Sequence, residues 1–364
     1  MFVDNNTFRV YEEPKITIIE LLIERKIENM SLEEKIAQMV IISCETTEYD
    51  DLLKKDLQSY QPGGFIIFRY NIKSYQQISD LVTAMQNDSK IPMFISVDQE
   101  GGRVQRFKNI AGVDLTVIPS MAEVGLINDE EYAFVVGKTI GEELKIFGVN
   151  MDFAPCLDVL GNSKNTVIGN RSFGSNPETV SKMGLAVAEG IRQQGVIVVY
   201  KHFPGHGTIT EDSHFNLPVL KKTKEQLYDF ELIPFIAAVK EECDVIMIGH
   251  ISLPSITGNN TPASLSKEVL DILRIELNYK GIIITDALDM KAIKDNYQED
   301  EIIIMAINAG VDILLMPEGL ESTIAIVKKA IEENTISIES IDNSVKRILM
   351  LKSKYGILKL HQMK

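Results

Sequence analysis

Short apolar runs rich in Val and Ile recur along the chain, at residues 38–43, 64–68, 93–97, 151–154, 196–200, 245–248, 281–284 and 312–316. They are apolar throughout and do not alternate with polar positions, the pattern of strands covered on both faces. Between them lie segments with helical spacing, including 74–86, 130–147, 177–194, 224–241, 266–277 and 302–309. Strand and helix in alternation predict parallel strands joined by right-handed crossovers. Eight such strands predict an α/β fold of one kind, a single (β/α)8 TIM-type barrel. No Pro/Gly/Ser-rich linker interrupts the series, so the barrel is expected to fill residues 31–364, behind a short helical N-terminal extension over residues 1–30. Residues 338–355 read as one more helix on the outside of the barrel.

Charge removes several classes of partner. The 364 residues carry 37 Lys+Arg against 52 Asp+Glu, a formal net charge of −15, with no basic run. Such a chain repels phosphate backbones and anionic head groups, so neither nucleic acid nor a membrane surface is an expected partner. The longest apolar stretch, 301–317, is broken by Asn308 and Asp312 and is too short to span a bilayer. The first 29 residues hold Asp4, Glu12, Glu13, Glu20, Glu24 and Glu28, with no basic segment leading into an apolar one. They do not read as a secretory signal, and a cytoplasmic location is expected. Cys44, Cys156 and Cys243 are odd in number, far apart and each next to an apolar run, as expected of reduced, buried thiols.

In a barrel of this kind the chemistry sits at the C-terminal ends of the strands. Polar groups cluster there in this sequence. The third run is followed by Asp98-Gln99-Glu100-Gly101-Gly102-Arg103, the fifth by Lys201-His202-Phe203-Pro204-Gly205-His206-Gly207, the sixth by Gly249-His250 and the seventh by Thr285-Asp286. Asp286 emerges directly from a strand, which suits a nucleophile that must be aimed, although a helix cap or an ion pair is an alternative role. Asp289 reads as a helix N-terminal carboxylate. Of Arg103 and Arg106, one is expected to reach the pocket while the other pairs with Glu100 or solvent. Three of the five histidines, His202, His206 and His214, follow the fifth run closely, and Asp212 stands two residues before His214. A carboxylate that fixes an imidazole tautomer makes a general acid/base pair, while a capping Asp beside an exposed loop His is the plainer alternative. Arg171 lies on the long loop after the fourth run.

These residues resemble a known family. The run from Lys201 to Gly207 followed by Asp212-Ser213-His214 resembles the signature of the glycoside hydrolase family 3 β-N-acetylhexosaminidases, the NagZ-type enzymes of peptidoglycan turnover. Ser96-Val97-Asp98-Gln99-Glu100-Gly101-Gly102-Arg103-Val104-Gln105-Arg106 and Ile284-Thr285-Asp286-Ala287-Leu288-Asp289-Met290 match it in the same order, and the likeness runs from about residue 31 to 355. The resemblance implies a retaining glycosidase with Asp286 as nucleophile and His214, held by Asp212, as acid/base. It implies that Asp98, Arg106, Arg171, Lys201 and His202 hold the sugar hydroxyls and the 2-acetamido group. No cofactor and no metal are implied, and the partner is a carbohydrate bearing terminal N-acetylglucosamine. One departure is visible: the family commonly reads Gly-His-Gly-Asp-Thr, whereas Thr208 and Ile209 follow Gly207 here. The larger β-glucosidases of the family take a carboxylate acid from a second domain, for which this chain lacks the length. With no Trp, sugar stacking falls to Phe or Tyr, and a small pocket taking one terminal sugar is expected.

Other readings keep parts of the site. A phosphorylase would use phosphate as acceptor, since a neutral His does not repel it as a carboxylate would. A metal-dependent barrel hydrolase would ligate zinc with His202, His206, His250 and Asp286. A catalytically silent sugar-binding barrel would share the fold, but retention of Asp286 with the Asp212/His214 pair argues against it.

Overall fold

The computed structural model describes residues 17–209 and 217–363. Asp212 and His214 therefore lie outside the described residues.

Eight strands form one parallel sheet: β1 (Val40–Ile42), β2 (Gly64–Ile67), β3 (Phe94–Val97), β4 (Met151–Asp152), β5 (Ile197–Phe203), β6 (Val245–Ile248), β7 (Ile282–Thr285) and β8 (Leu314–Leu315). Their order is β8-β1-β2-β3-β4-β5-β6-β7. A parallel bridge between Ile284 and Ile313, with the Asp312 amide donating to the Ile283 carbonyl at 2.8 Å, joins β7 to the approach of β8 and closes the ring. Every strand residue is buried, which is why the runs carry no polar alternation. At roughly 1.5–3 kcal/mol for each fully buried Val, Leu, Ile or Phe, this shared core is the main stabilising contribution.

Most helices fall where the spacing predicts, for example Tyr75–Asp88, Glu130–Ile146, Pro177–Gln193 and Ile338–Lys354. Two differ. The segment expected to be one helix over 224–241 is two, Lys224–Tyr228 and Ile233–Lys240, because Pro234 opens the second and cannot continue the first. The segment over 266–277 begins as α-helix, Lys267–Asp271, and widens to a π-turn over Ile272–Glu276. Among the described residues no helix is long and apolar enough to cross a membrane. All three cysteines are free; Cys156 and Cys243 are buried as expected, whereas Cys44, on the loop past the first strand, is partly exposed.

The helix Ile338–Lys354 also braces the N-terminal end of the barrel. Buried Asp312 accepts from Arg347 Nε and Ser344 Oγ, each at 2.8 Å, and pairs with Arg274 on its other oxygen. Buried Lys352 donates to Gln38 Oε1 at 2.8 Å and lies 4.9 Å from the centre of the Phe94 ring. The opposite, C-terminal end is left open, and there the loops build a cavity.

Candidate active site

The strand ends bring the sequence-predicted residues together. Asp98, Arg106, Arg171, Lys201, His202 and Asp286 all line one cavity of about 660 Å3, within the usual range for small-molecule sites. Its wall also takes in Glu100, Arg103, His206 and Asp289.

The charged groups form a ladder of alternating sign. Arg106 Nη2 lies 3.0 Å from Asp98 Oδ2, and Lys201 Nζ lies 2.7 Å from Asp98 Oδ1. Lys201 Nζ is also 2.6 Å from Glu100 Oε1, and Arg171 grips Glu100 through both Nε (2.8 Å) and Nη2 (2.7 Å). The side chains of Lys201 and Glu100 are 2% and 1% exposed, so these pairs have exchanged water for each other. Buried charges persist only when paired and hydrogen-bonded, and each one here is. Burial alone would raise the Glu100 and Asp98 pKa values; Arg171 with Lys201 holds Glu100 well down, and Lys201 with Arg106 lowers Asp98. Three cations against two carboxylates leave the ladder with one surplus positive charge facing Asp286.

Of Arg103 and Arg106, one was expected to reach the pocket and the other to pair with Glu100 or solvent; both line the cavity, and Glu100 pairs with Arg171 and Lys201 instead. The reason is the antiparallel hairpin Gln99–Gly101/Val104–Gln105, which reverses the chain after β3. Arg106 thereby returns to Asp98, while Arg103 reaches over the rim to the Thr166 and Ile168 carbonyls at 2.7 and 3.2 Å. At the turn, Gly101 has φ +96°, and a Cβ there would stand 2.5 Å from the Pro119 carbonyl oxygen. Asp289 was expected at a helix N-terminus. It stands just before Met290, the cap of the helix Lys291–Lys294, and it also lines the cavity.

Asp158 is the residue that sequence reasoning missed. It lies on the loop after β4, fully buried, and takes four donors. Its Oδ2 accepts from His202 Nδ1 (2.7 Å), the His202 amide (3.2 Å) and Cys156 Sγ (3.1 Å), and its Oδ1 from the His206 amide (2.5 Å). A carboxylate against Nδ1 fixes the proton there and leaves Nε2 toward the cavity, where Arg171 Nη2 lies 3.4 Å away. The segment after β5 is held further by Asn165 Nδ2, which donates to the His206 carbonyl at 2.8 Å. The departure at Thr208 has a structural use: its hydroxyl donates to buried Glu231 at 2.6 Å, and Ile209 packs into the core.

Asp286 follows β7, and its amide donates to the Ile248 carbonyl at 2.9 Å. Its Oδ1 accepts the Ala287 amide at 2.8 Å. Burial raises its pKa, but His202, His250 and the Ala287 amide outweigh this and lower it, so the group is ionised at neutral pH. His250 is turned away from such work: Nε2 donates to the Ala287 carbonyl at 2.9 Å while Nδ1 meets Ser264 Oγ at 2.7 Å.

Among the described residues, one group has donor atoms close enough to share a metal ion: Cys156, Asp158 and His202. Their hydrogen bonds already satisfy one another, and burial keeps the Cys156 thiol protonated. The set expected for a zinc hydrolase does not assemble: both His250 nitrogens are engaged elsewhere.

Residues 31–351 match the glycosyl hydrolase family 3 N-terminal domain. The chain belongs to glycoside hydrolase family 3. It is 35% identical over 328 residues to β-hexosaminidase A of Pseudoalteromonas piscicida, a match covering 83% of this chain and 55% of that protein. It is 31% identical over 333 residues to β-hexosaminidase LpqI of Mycobacterium tuberculosis, covering 89% of this chain and 83% of the relative. Among solved structures, a family 3 β-N-acetylglucosaminidase from Paenibacillus sp. FPU-7 superposes with a TM-score of 0.86 at 37% identity, over 90% of this chain and 63% of that one. The chain thus spans little more than half of the Pseudoalteromonas relative.

Within this family 3 barrel, the anchoring by Asp158 carries a pH signature. Burial raises its pKa, and the His202 and His206 interactions more than offset this, holding it at about 2. A pKa depressed in the folded state contributes stability that is present above the unfolded value and lost as pH falls through the folded one. The contribution is on the order of 2 kcal/mol. Asp158→Asn should therefore be less stable than wild type at pH 7, with a gap that narrows between pH 5 and pH 2 in urea unfolding. A gap independent of pH over that range would remove the ionised Asp158 from this role.

Proposed function

We propose that this chain is an exo-acting, retaining β-N-acetylglucosaminidase that removes terminal N-acetylglucosamine through a covalent glycosyl-enzyme. The observation that carries this reading is the charge ladder facing an ionised carboxylate across one cavity at the barrel mouth. The names of the relatives, β-hexosaminidase and β-N-acetylglucosaminidase, support it.

Asp286 is the nucleophile. Its carboxylate attacks the anomeric carbon, and its negative charge stabilises the oxocarbenium-like transition state on the way. His214, oriented by Asp212, protonates the leaving oxygen and then takes a proton from the water that releases the sugar. Asp98, Arg106, Arg171, Lys201 and His202 hold the hydroxyls and the 2-acetamido group. Paired groups of both signs suit a polyol, whose hydroxyls donate to Asp98 and accept from Lys201 and the arginines without leaving any charge unpartnered. Retaining glycosidases generally use two carboxylates; a His–Asp pair takes the second place here. Fragments of peptidoglycan or chitin-type oligosaccharides are the substrate class that presents such a terminal sugar.

Specificity is the test. A site built to hydrogen-bond the 2-acetamido group should prefer an aryl β-N-acetylglucosaminide over the matching β-glucoside by on the order of 10⁴ in kcat/KM. Comparable rates on the two would sink the reading. In phosphate buffer the expected product is the free sugar, and sugar 1-phosphate would instead mean phosphorolysis.

A further inference from the structure

The mouth of the cavity carries an aromatic face that the reaction above does not use. Phe68 lines the cavity at the end of β2, and the Tyr70 ring lies flat on it, centroids 5.3 Å apart and planes 18° from parallel. The guanidinium of Arg106 is 5.5 Å from the centre of the same Phe68 ring. Phe68 is therefore a packed support, while Tyr70 remains 49% exposed.

The turn that presents Tyr70, Arg69–Asn71, is held rigidly. Buried Asn71 accepts the Phe68 amide at 2.8 Å and donates to the Cys44 and Thr46 carbonyls at 2.8 and 2.7 Å, tying the loops after β1 and β2 together. Three of the four hydrogen-bonding sites of its side chain go into placing its neighbours. Asp289 lies on the same cavity wall as Phe68, and its charge bears on Tyr70: burial raises the phenol pKa first, and Glu45, Cys44 and Asp289 raise it further. An aromatic face set beside a carboxylate and an arginine matches a pyranose ring, whose C–H face stacks on the aromatic while its edge hydroxyls reach the charges.

We propose that Tyr70, backed by Phe68, is the platform for the leaving-group sugar, the ring bonded to the oxygen of the scissile bond, with Asp289 accepting from that sugar's hydroxyls. This rests on the reading of the cavity as an N-acetylglucosaminidase site. It makes the natural leaving group a sugar ring, and Tyr70 a determinant of which glycosides are cleaved well.

The test compares two substrates with the same glycone. N,N′-diacetylchitobiose has a sugar leaving group, and β-N-acetylglucosaminyl fluoride has none. The ratio of their kcat/KM values should fall about tenfold in Tyr70→Ala, the size expected for one aromatic stacking contact, and should be kept in Tyr70→Phe. An unchanged ratio in Tyr70→Ala, or an equal fall in Tyr70→Phe, would overturn the platform. Wild-type turnover of the fluoride reports separately on the activity: its absence would overturn the enzymatic reading and the platform with it.

Discussion

Asp286→Asn is expected to lose at least on the order of 10⁴-fold in turnover of β-N-acetylglucosaminides while keeping its fold and its affinity for the sugar. The amide matches the carboxylate in shape and still accepts the Ala287 amide proton. It lacks the charge that, in the proposed mechanism, forms the covalent bond and steadies the oxocarbenium-like transition state. On the proposed reading the ladder from Arg106 to Arg171 holds the sugar independently of Asp286, so KM should change far less than kcat. Steady-state kinetics with an aryl glycoside, beside thermal unfolding of the same preparation, checks both halves. A variant that keeps a tenth of wild-type activity would take Asp286 out of the nucleophile's role.

His214→Ala should show a different pattern, set by which step needs a proton. A general acid contributes about 10²–10⁴-fold when the leaving group is a poor one such as a sugar alkoxide, and much less for a stable phenolate. The variant should therefore fail on disaccharides and retain more of its glycosylation rate on activated aryl glycosides. There, slow release of the glycosyl-enzyme should leave a burst of phenol in rapid-mixing experiments. Asp212→Asn should follow the same pattern more weakly, since it only loosens the hold on the imidazole. Equal losses on both leaving groups, with no burst, would make His214 a structural residue and turn attention to His206, which lines the cavity and has neither ring nitrogen bonded among the described residues.

The strands were legible in the sequence because each is buried on both faces, and uninterrupted apolar runs follow from that. The placement of Asp98, Lys201, His202 and Asp286 was legible for a related reason: each follows a run directly, where a barrel strand must deliver it to the open end. What escaped depends on contacts across long stretches of chain. Glu100 finds Arg171 seventy-one residues on, and nothing in the run from Gln99 to Arg106 marks it for that partner over the nearer arginines. Asp158 meets His202 forty-four residues away; its one signal was an acidic residue set among the apolar positions of a loop just past a strand. Tyr70 stood in a short segment after β2 that no periodicity distinguishes. The break at Pro234, by contrast, was written in the sequence, since proline favours the first turn of a new helix over the interior of an old one.

The central claim is that Asp286 becomes covalently bonded to the sugar during turnover. Its most direct test is mass spectrometry of the enzyme trapped with a fluorinated N-acetylglucosaminyl fluoride, whose release is slowed more than its attachment. Cleavage after Lys280 and Lys291 isolates a peptide that contains both Asp286 and Asp289. The account predicts one added sugar on that peptide, located by fragmentation on Asp286 and missing from Asp286→Asn. A sugar on Asp289 or on any other peptide, or steady turnover with no adduct at all, would contradict it.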